Sequence, residues 1–337
     1  MPNPLQYNKK FDELNEEEKK LLAINKKSIV DFVEQSPSIS DVNYATRNAH
    51  AKTYAVAKGE FLIDPHIPEA LQLFFDKEKF DLLIRLSNAR LTIKNSKKDL
   101  PAYGFAVQIR DENGGVLANY PLVNFPLFPV NSVSTFLKLF TAVNRSYLKK
   151  GSGLFSMAAQ FIKIIPSVLN GSFLKNIVRL IRKRNDFILS FDYYSVGAYR
   201  LGDYMIKIKL SPMDVDKNTG RKQNIKETLK TYFQTHDFTA NVLIQICYDL
   251  KDQPINKLNV EWKNAPFIKI GEVKINRDSL LDPKNCNNEL LSFNPFESKI
   301  IFQPVGKIQK LRDEAYKVSL QTRKKINKLL HGKSIDL

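Results

Sequence analysis

The feature that most restricts how this 337-residue chain can fold is a series of four short apolar blocks between residues 53 and 128. They read TYAVAKGEFLI, FDLLIRLS, YGFAVQIRD and VLANYPLVNFPLF. Each is rich in β-branched or aromatic residues and is bounded by polar or glycine-bearing segments, the pattern of strands. DENGG, between the third and fourth, has the composition of a hairpin turn. HIPEALQLFFDKEK, between the first two, reads as a short helix. The blocks therefore describe a largely antiparallel sheet rather than repeated βα units. Strand character returns in FILSFDYYSVG, YMIKIKLSP, TANVLIQICYDL and APFIKIGEVKI, with a helix expected in IKETLKTYFQTH.

Helical spacing frames these strands. Residues 13 to 35 mix charge with apolar positions and are closed by Pro37. Residues 132 to 185 contain three helical stretches separated by glycine and proline, and no acidic residue occurs from Arg145 to Arg184. Such a basic amphipathic region suits an anionic bilayer, a polyanion, or simply a solvated face over a packed one. The tail from Val305 has no helix breaker after Gly306 and strong helical propensity. No repeat and no linker interrupts the chain, so the class is α+β, one domain with helical additions.

Composition narrows the function classes. Apolar residues make up 43% of the chain and 22 are phenylalanine, which excludes disorder and permits a core large enough to enclose a cofactor. The formal charge of +17 comes from scattered lysines, and no zinc-finger, helix-turn-helix or aromatic nucleic-acid motif accompanies it, so no specific nucleic-acid partner is expected. Weak association with an anionic membrane is the expectation that remains from the charge. Cys247 and Cys286 are too few for a disulfide scaffold and lack metal-site spacing. The first residues have no apolar core like that of a secretory signal, and no run reaches the roughly 18 apolar residues of a membrane span. The expected location is cytoplasmic, with a peripheral membrane association left open.

Individual residues stand out against this background. RNAHAKTYAVAKGEF holds one of only four histidines, His50, three residues after Arg47. It reads as a base or a structural histidine, and only weakly as a metal ligand, since no second histidine or acid stands at zinc spacing. Arg85 and Ser87 are two apart in LLIRLSN and share a strand face. An arginine buried there needs an anionic partner. Asn124 sits among apolar residues and prolines. Arg312 and Tyr316 are four apart on the tail helix and so share its face; a guanidinium beside a phenol favours the phenolate.

The order of these pieces carries a resemblance. RNAHAK, IRLSNAR, YGFAVQIRD and LVNFPLF together resemble the distal half of a haem-containing catalase. DYYSVGAYRLGDYMIKIKLSP, VEWKNAPFIKIGEVKI, CNNELLSFNPF and the R-x-x-x-Y of LRDEAYKVS resemble the short catalase-related proteins. The match runs roughly from residue 40 to residue 325. It implies a catalase-like antiparallel β-barrel core with additional helices. The corresponding division is an N-terminal helical extension (1–39), a haem domain (40–325) that includes the basic helical segment 132–185, and a C-terminal tail (326–337).

The resemblance also implies roles. His50 matches the distal acid-base histidine, Ser87 its supporting hydroxyl and Asn124 the distal asparagine that bonds peroxide. Arg47 and Arg85 match arginines near the haem propionates, and Phe128, with Phe136 behind it, an apolar wall. Tyr316 matches the axial ligand of the haem iron, with Arg312 its companion. The implied cofactor is haem b (iron protoporphyrin IX) and the implied substrate hydrogen peroxide or an organic hydroperoxide. An organic reductant would make the enzyme a peroxidase, and a second peroxide a catalase. A homodimer is a further expectation. A lipid hydroperoxide isomerase of the allene oxide synthase type and a non-catalytic haem-binding or structural protein are the alternatives. The chain departs from the family at Tyr103, where an arginine is usual, at Asn119, where an aspartate is usual, and at the FQPVG turn before the tail helix. Lys307 and Lys310 stand where the family is richer in arginine.

Overall fold

The computed structural model describes residues 3–95, 99–148, 152–169, 171–221, 223–282 and 287–331. Cys286 lies outside them. A long helix, α1 (Glu16–Ile39), precedes the first strand, β1 (Lys52–Ile63). A single turn, α2 (Glu69–Gln72), leads to β2 (Lys79–Asn88), β3 (Tyr103–Arg110) and β4 (Val116–Val123). Three helices follow: α3 (Val133–Leu148), α4 (Ser152–Val168) and α5 (Gly171–Arg182). Next come the short β5 (Tyr193–Tyr194) and β6 (Ala198–Leu201), then β7 (Tyr204–Met213), α6 (Ile225–Thr235), β8 (Phe238–Ile246) and β9 (Ile268–Ile275). The described chain ends with α7 (Asn287–Leu290), β10 (Pro304–Val305) and α8 (Lys307–His331).

Eight strands close into an antiparallel barrel in the order β1–β2–β3–β4–β5–β7–β8–β9, with β9 returning to β1 from Glu60↔Lys274 to Ile63↔Gly271. Closure leaves no open edge in the barrel wall. β6 and β10 form a flap beside β7. Strand alternation shows why the barrel forms: in β8, Phe238, Ala240, Val242, Ile244 and Ile246 are buried and the residues between them are half-buried. The inner residues of the other strands, among them Ile84, Leu86, Phe105 and Val107, join the same core.

β2 breaks this alternation in a way that positions the site. From Leu82 to Asn88 every residue is buried. Leu82, Ile84 and Leu86 fill the barrel, while Leu83, with Val56, Ala106 and Phe293, forms a second apolar layer on the outside. Arg85 and Ser87 share that outer face. The chain after β9 and helix α8 cover it.

Helix α8 is fixed along its length. Asp12 Oδ1 accepts from the Gly306 N–H at 2.6 Å and Asn256 Oδ1 from the Lys307 N–H at 2.8 Å, so two side chains from distant segments bond backbone amides at its start. Lys26 pairs with Glu314 at 2.5 Å and Lys307 with Glu18 at 3.3 Å, both to α1. Near the far end Asn327 Oδ1 accepts from Ala45 N at 2.6 Å.

Several local expectations change. Pro37 lies inside the last turn of α1, which ends at Ile39, because a proline there removes only one helical hydrogen bond. The short helix expected in HIPEALQLFFDKEK is present as a single turn. Phe75 is drawn onto Phe61, with centroids 6.0 Å apart, and Phe74 onto Tyr204 at 5.9 Å, so packing at the barrel mouth overrides helix propensity. FILSFDYYSVG supplies only the two residues of β5, and β4 stops at Val123.

Asp12 also accepts from the Tyr7 hydroxyl at 2.7 Å. Replacing it with alanine leaves two partly buried donors unpaired. Asp12→Ala is expected to lower unfolding free energy by about 1–3 kcal/mol in a urea titration, with Asp12→Asn recovering part of the loss. An unchanged midpoint for both variants would show that α8 does not depend on this contact.

Candidate active site

His50 stands at the turn into β1 with φ +49°, the left-handed region that non-glycine residues rarely adopt. Arg85 holds the turn in place: its Nη2 donates to the His50 carbonyl at 2.6 Å, and its Nε and Nη2 both donate to Thr53 Oγ1, at 3.1 and 2.9 Å. The turn presents the imidazole to β2, where His50 Nδ1 and Ser87 Oγ are 3.2 Å apart. β3 makes room for both. A Cβ on Gly104 would lie 2.7 Å from Ser87 Oγ and 2.8 Å from His50 Nδ1, so no larger residue fits without moving the pair.

The ring is kept neutral. Burial, then the charges of Arg85 and Arg312, push His50 down to about 3 from 6.5. It is nonetheless only half-buried by exposed area, as are Arg312 and Tyr316. The charge of Arg312 reaches the ring, so these three partly exposed side chains border the space between the outer face of β2 and β3 and helix α8, called the crevice below.

Arginines surround this crevice. Arg47 Nη1 pairs with Glu289 Oε2 at 2.7 Å and its Nη2 donates to the Leu291 carbonyl at 2.8 Å. Thr53 Oγ1 donates to Glu289 Oε1 at 2.9 Å, linking α7 to β1. Arg323 on α8 donates to the Glu289 carbonyl and, at 3.3 Å, to the Ser319 carbonyl. Burial would raise the Glu289 carboxyl, but Arg47 and Arg85 hold it below its usual range. Burial and Arg47 push Arg85 down to about 9, and they lower Arg323 as well.

Arg312 differs. Burial works against its charge, yet the phenols of Tyr199 and Tyr316 raise it overall. Its guanidinium reaches Tyr316 Oη at 3.4 Å, Tyr199 Oη at 3.5 Å and Gln309 Oε1 at 2.8 Å.

The hydrogen bonds of Arg85, Arg312 and Arg323 just described all go to neutral oxygens. Glu289 is the one carboxylate ion-paired within the set among the described residues. Buried positive charge in surplus is costly unless an anion joins it. The arrangement therefore suits a ligand with acidic groups, with the phenol oxygen of Tyr316 beside Arg312 as a further oxygen donor. A cavity of about 230 Å³ inside the barrel, lined by residues such as Phe61, Val107, Leu122, Ile208 and Ile244, contains none of these groups.

Two expected members stand apart. Asn124 was expected as a donor to peroxide. Its Oδ1 accepts from Tyr103 N at 2.8 Å and its Nδ2 donates to the Pro101 carbonyl at 3.1 Å, so it ties down the backbone at the start of β3. Among the described residues no hydrogen bond joins it to His50 or Ser87. Phe128 stacks with Phe136 and Phe140, centroids 5.8 and 6.2 Å away, and packs on Ile308 and Leu311 of α8. It forms wall between α3 and α8. Tyr103 is buried against Tyr54 and Phe191, and Asn119 bonds Gln108 and Asn294.

Three residues absent from the sequence reading belong here. Arg323 lies seven residues after Tyr316 and eleven after Arg312, positions that share one helix face, so extending the R-x-x-x-Y spacing finds it. Glu289 lies within CNNELLSFNPF, but nothing local marks it as the partner of Arg47, 242 residues away. Gly104 stands in YGFAV, where only the fold shows what presses on it.

No family model matches the chain, and no curated protein matches it in sequence. Solved structures do. A fungal catalase aligns with a TM-score of 0.60 at 16% identity over 82% of this chain and 59% of its own. Catalase A from Saccharomyces cerevisiae gives 0.60 at 16% over 86% and 63%, and a bacterial catalase 0.59 at 17% over 88% and 61%. The chain thus spans 59 to 63% of the length of these catalases. At such identities the likeness speaks of architecture: this chain has the catalase fold.

Proposed function

We propose that the crevice holds a haem and that the protein is a peroxide-dependent oxidoreductase. One observation carries the reading: a neutral, hydroxyl-supported histidine on the barrel faces a crevice whose other side, α8, presents an arginine-paired tyrosine, with surplus guanidinium charge around them. This donor set fits haem. Tyr316 would hold the iron, Arg47, Arg85 and Arg323 are the cations available to its carboxylates, and Phe128 contributes to the apolar surroundings. When bound, haem supplies the redox-active iron at which peroxide reacts.

The chain's own residues handle the proton. With Nδ1–H donating to Ser87 Oγ, the Nε2 lone pair of His50 is left to accept a proton from one peroxide oxygen and return it to the other, which assists cleavage of the bond between them. The depressed basicity of His50 keeps the ring unprotonated at neutral pH. Arg85 fixes the backbone behind the ring, so the imidazole needs little reorganisation. Arg312, 3.4 Å from Tyr316 Oη and held by Gln309, would keep the phenol oxygen oriented in that role. Hydrogen peroxide and organic hydroperoxides both carry the proton this chemistry needs, and an organic donor completes a peroxidase cycle.

Three outcomes check the reading. The full chain loaded with haem should show a tyrosinate-type ferric spectrum, and Tyr316→Phe should alter that spectrum or release the haem; identical spectra and haem content in both proteins would remove Tyr316 as ligand. His50→Ala should keep its haem while peroxide reacts about 100-fold more slowly or worse, and equal rates would remove His50 as the acid-base group. The third outcome concerns acid stability without haem. His50 titrates at about 3 in the fold against 6.5 when unfolded, so between these values the unfolded chain binds the extra proton. The stabilising contribution of the neutral ring is complete above the unfolded value and is lost as pH falls toward the folded one, at up to ~1.4 kcal/mol per pH unit. His50→Gln should flatten that slope in denaturation midpoints, and parallel profiles for the two proteins would contradict a buried neutral histidine.

A further inference from the structure

Helix α5 carries three stripes where a helix resting on its own domain needs two. The inward stripe is Phe173, Asn176, Ile177 and Leu180, at i, i+3, i+4 and i+7. Phe173 lies edge-on to Phe125 with centroids 5.3 Å apart, Asn176 donates to Glu261 Oε1 at 2.7 Å, and Leu180 packs on the barrel core. A second apolar stripe, Leu174, Val178 and Ile181 at i, i+4 and i+7, faces solvent with 44 to 50% exposure. Beside it Lys175, Arg179 and Arg182 form an exposed cationic stripe at the same spacing.

The preceding helix also exposes apolar side chains. Phe161, Ile162 and Ile165 of α4, with Leu169 just past its end, are 44 to 66% exposed. Exposed apolar side chains scattered singly are ordinary on a protein. Here seven of the sixteen large ones among the described residues fall between positions 161 and 181, and such clustering marks an interaction surface.

Charge selects the occupant. The segment from Arg145 to Arg184 contains nine Lys or Arg residues and no acid. Among the described residues no ion pair involves Lys163, Lys175, Arg179, Arg182, Lys183 or Arg184. A second copy of this chain would bring the same positive surface against itself. A polyanion such as nucleic acid would use the cations and leave the apolar stripe in water. An anionic bilayer uses both: acyl chains take the apolar stripe while lysine and arginine reach the phosphate layer beside it. Among the described residues no helix is long and apolar enough to cross a membrane, so the fit is with its surface. We propose that α4 and α5 dock this protein on an anionic lipid bilayer, with α5 lying in the interface plane.

The test is co-sedimentation of the full chain with vesicles of phosphatidylglycerol and phosphatidylcholine in equal parts, against vesicles of phosphatidylcholine alone. Wild type should bind the anionic vesicles and hold on through moderate salt. The variant Leu174→Gln/Val178→Gln/Ile181→Gln should bind at least about tenfold less, and so should Lys175→Glu/Arg182→Glu. All five positions are exposed, and thermal unfolding checks that each variant is folded. Should the triple variant unfold, the three single glutamine variants should each weaken binding by a smaller factor. Absence of binding, equal binding to both vesicle types, or binding indifferent to the glutamines would overturn the proposal. So would wild-type self-association that the triple variant abolishes in the absence of vesicle binding, which would identify a second copy as the occupant. Loss of binding confined to the charge variant would do the same, because a polyanion site needs no apolar stripe.

Discussion

The guanidinium of Arg85 is the contact on which the site depends. It sits on a strand buried on both faces, so its charge cannot escape to water, and it must find partners where the chain puts it. Those partners are the carbonyl of His50 and the hydroxyl of Thr53. The first holds a histidine in a backbone conformation it would not choose alone. The second leads through Thr53 Oγ1 to Glu289 and so to Arg47, which joins the barrel to the chain crossing over it. One buried cation thus connects the local strain at His50 to the long-range closure of the outer layer.

This explains why the polar groups lie outside the barrel rather than within it. The interior is filled with aliphatic and aromatic side chains, while β2 and β3 place Arg85, Ser87, Gly104 and Gln108 on the other side of the sheet. There the burial comes from the segments after β9 and from α8. A soluble barrel with its outer face in water would leave these groups hydrated and unshifted. Covering the face lowers His50 and Arg85 together and makes the surplus of positive charge a feature that an acidic ligand can relieve.

The antiparallel strands were legible in the sequence because their cause is local, while the closed barrel came only with the resemblance. Alternation in YGFAVQIRD or TANVLIQI is a statement about which side each residue faces, and the fold keeps it. The pairing of Arg312 with Tyr316 was legible for the same reason, being a property of one helix. The Arg47–Glu289 pair was not, since it joins residues that no periodicity relates. Asn124 shows a different limit: its residue type and position suit a donor to substrate, while its bonds to the backbone of Pro101 and Tyr103 are seen only in the fold. The short helix in HIPEALQLFFDKEK was legible, though it ends at Gln72 because Phe74 and Phe75 obey the packing of the barrel mouth rather than their own propensity.

The placement of α8 has a consequence in time. One wall of the crevice is made from residues 50 to 104 and the other from residues 307 to 331, and the start of the second is capped by Asp12 and Asn256. During synthesis the barrel can begin to pair while the last helix is still unmade. The guanidiniums of Arg47 and Arg85 then stand on an uncovered sheet, hydrated and able to meet any anion in solution. Only the arrival of α8 turns that open surface into a crevice with Tyr316 and Arg312 on its far side. Enclosure of the proposed ligand would therefore belong to the end of folding, with the last helix as the step that commits the molecule to what it holds.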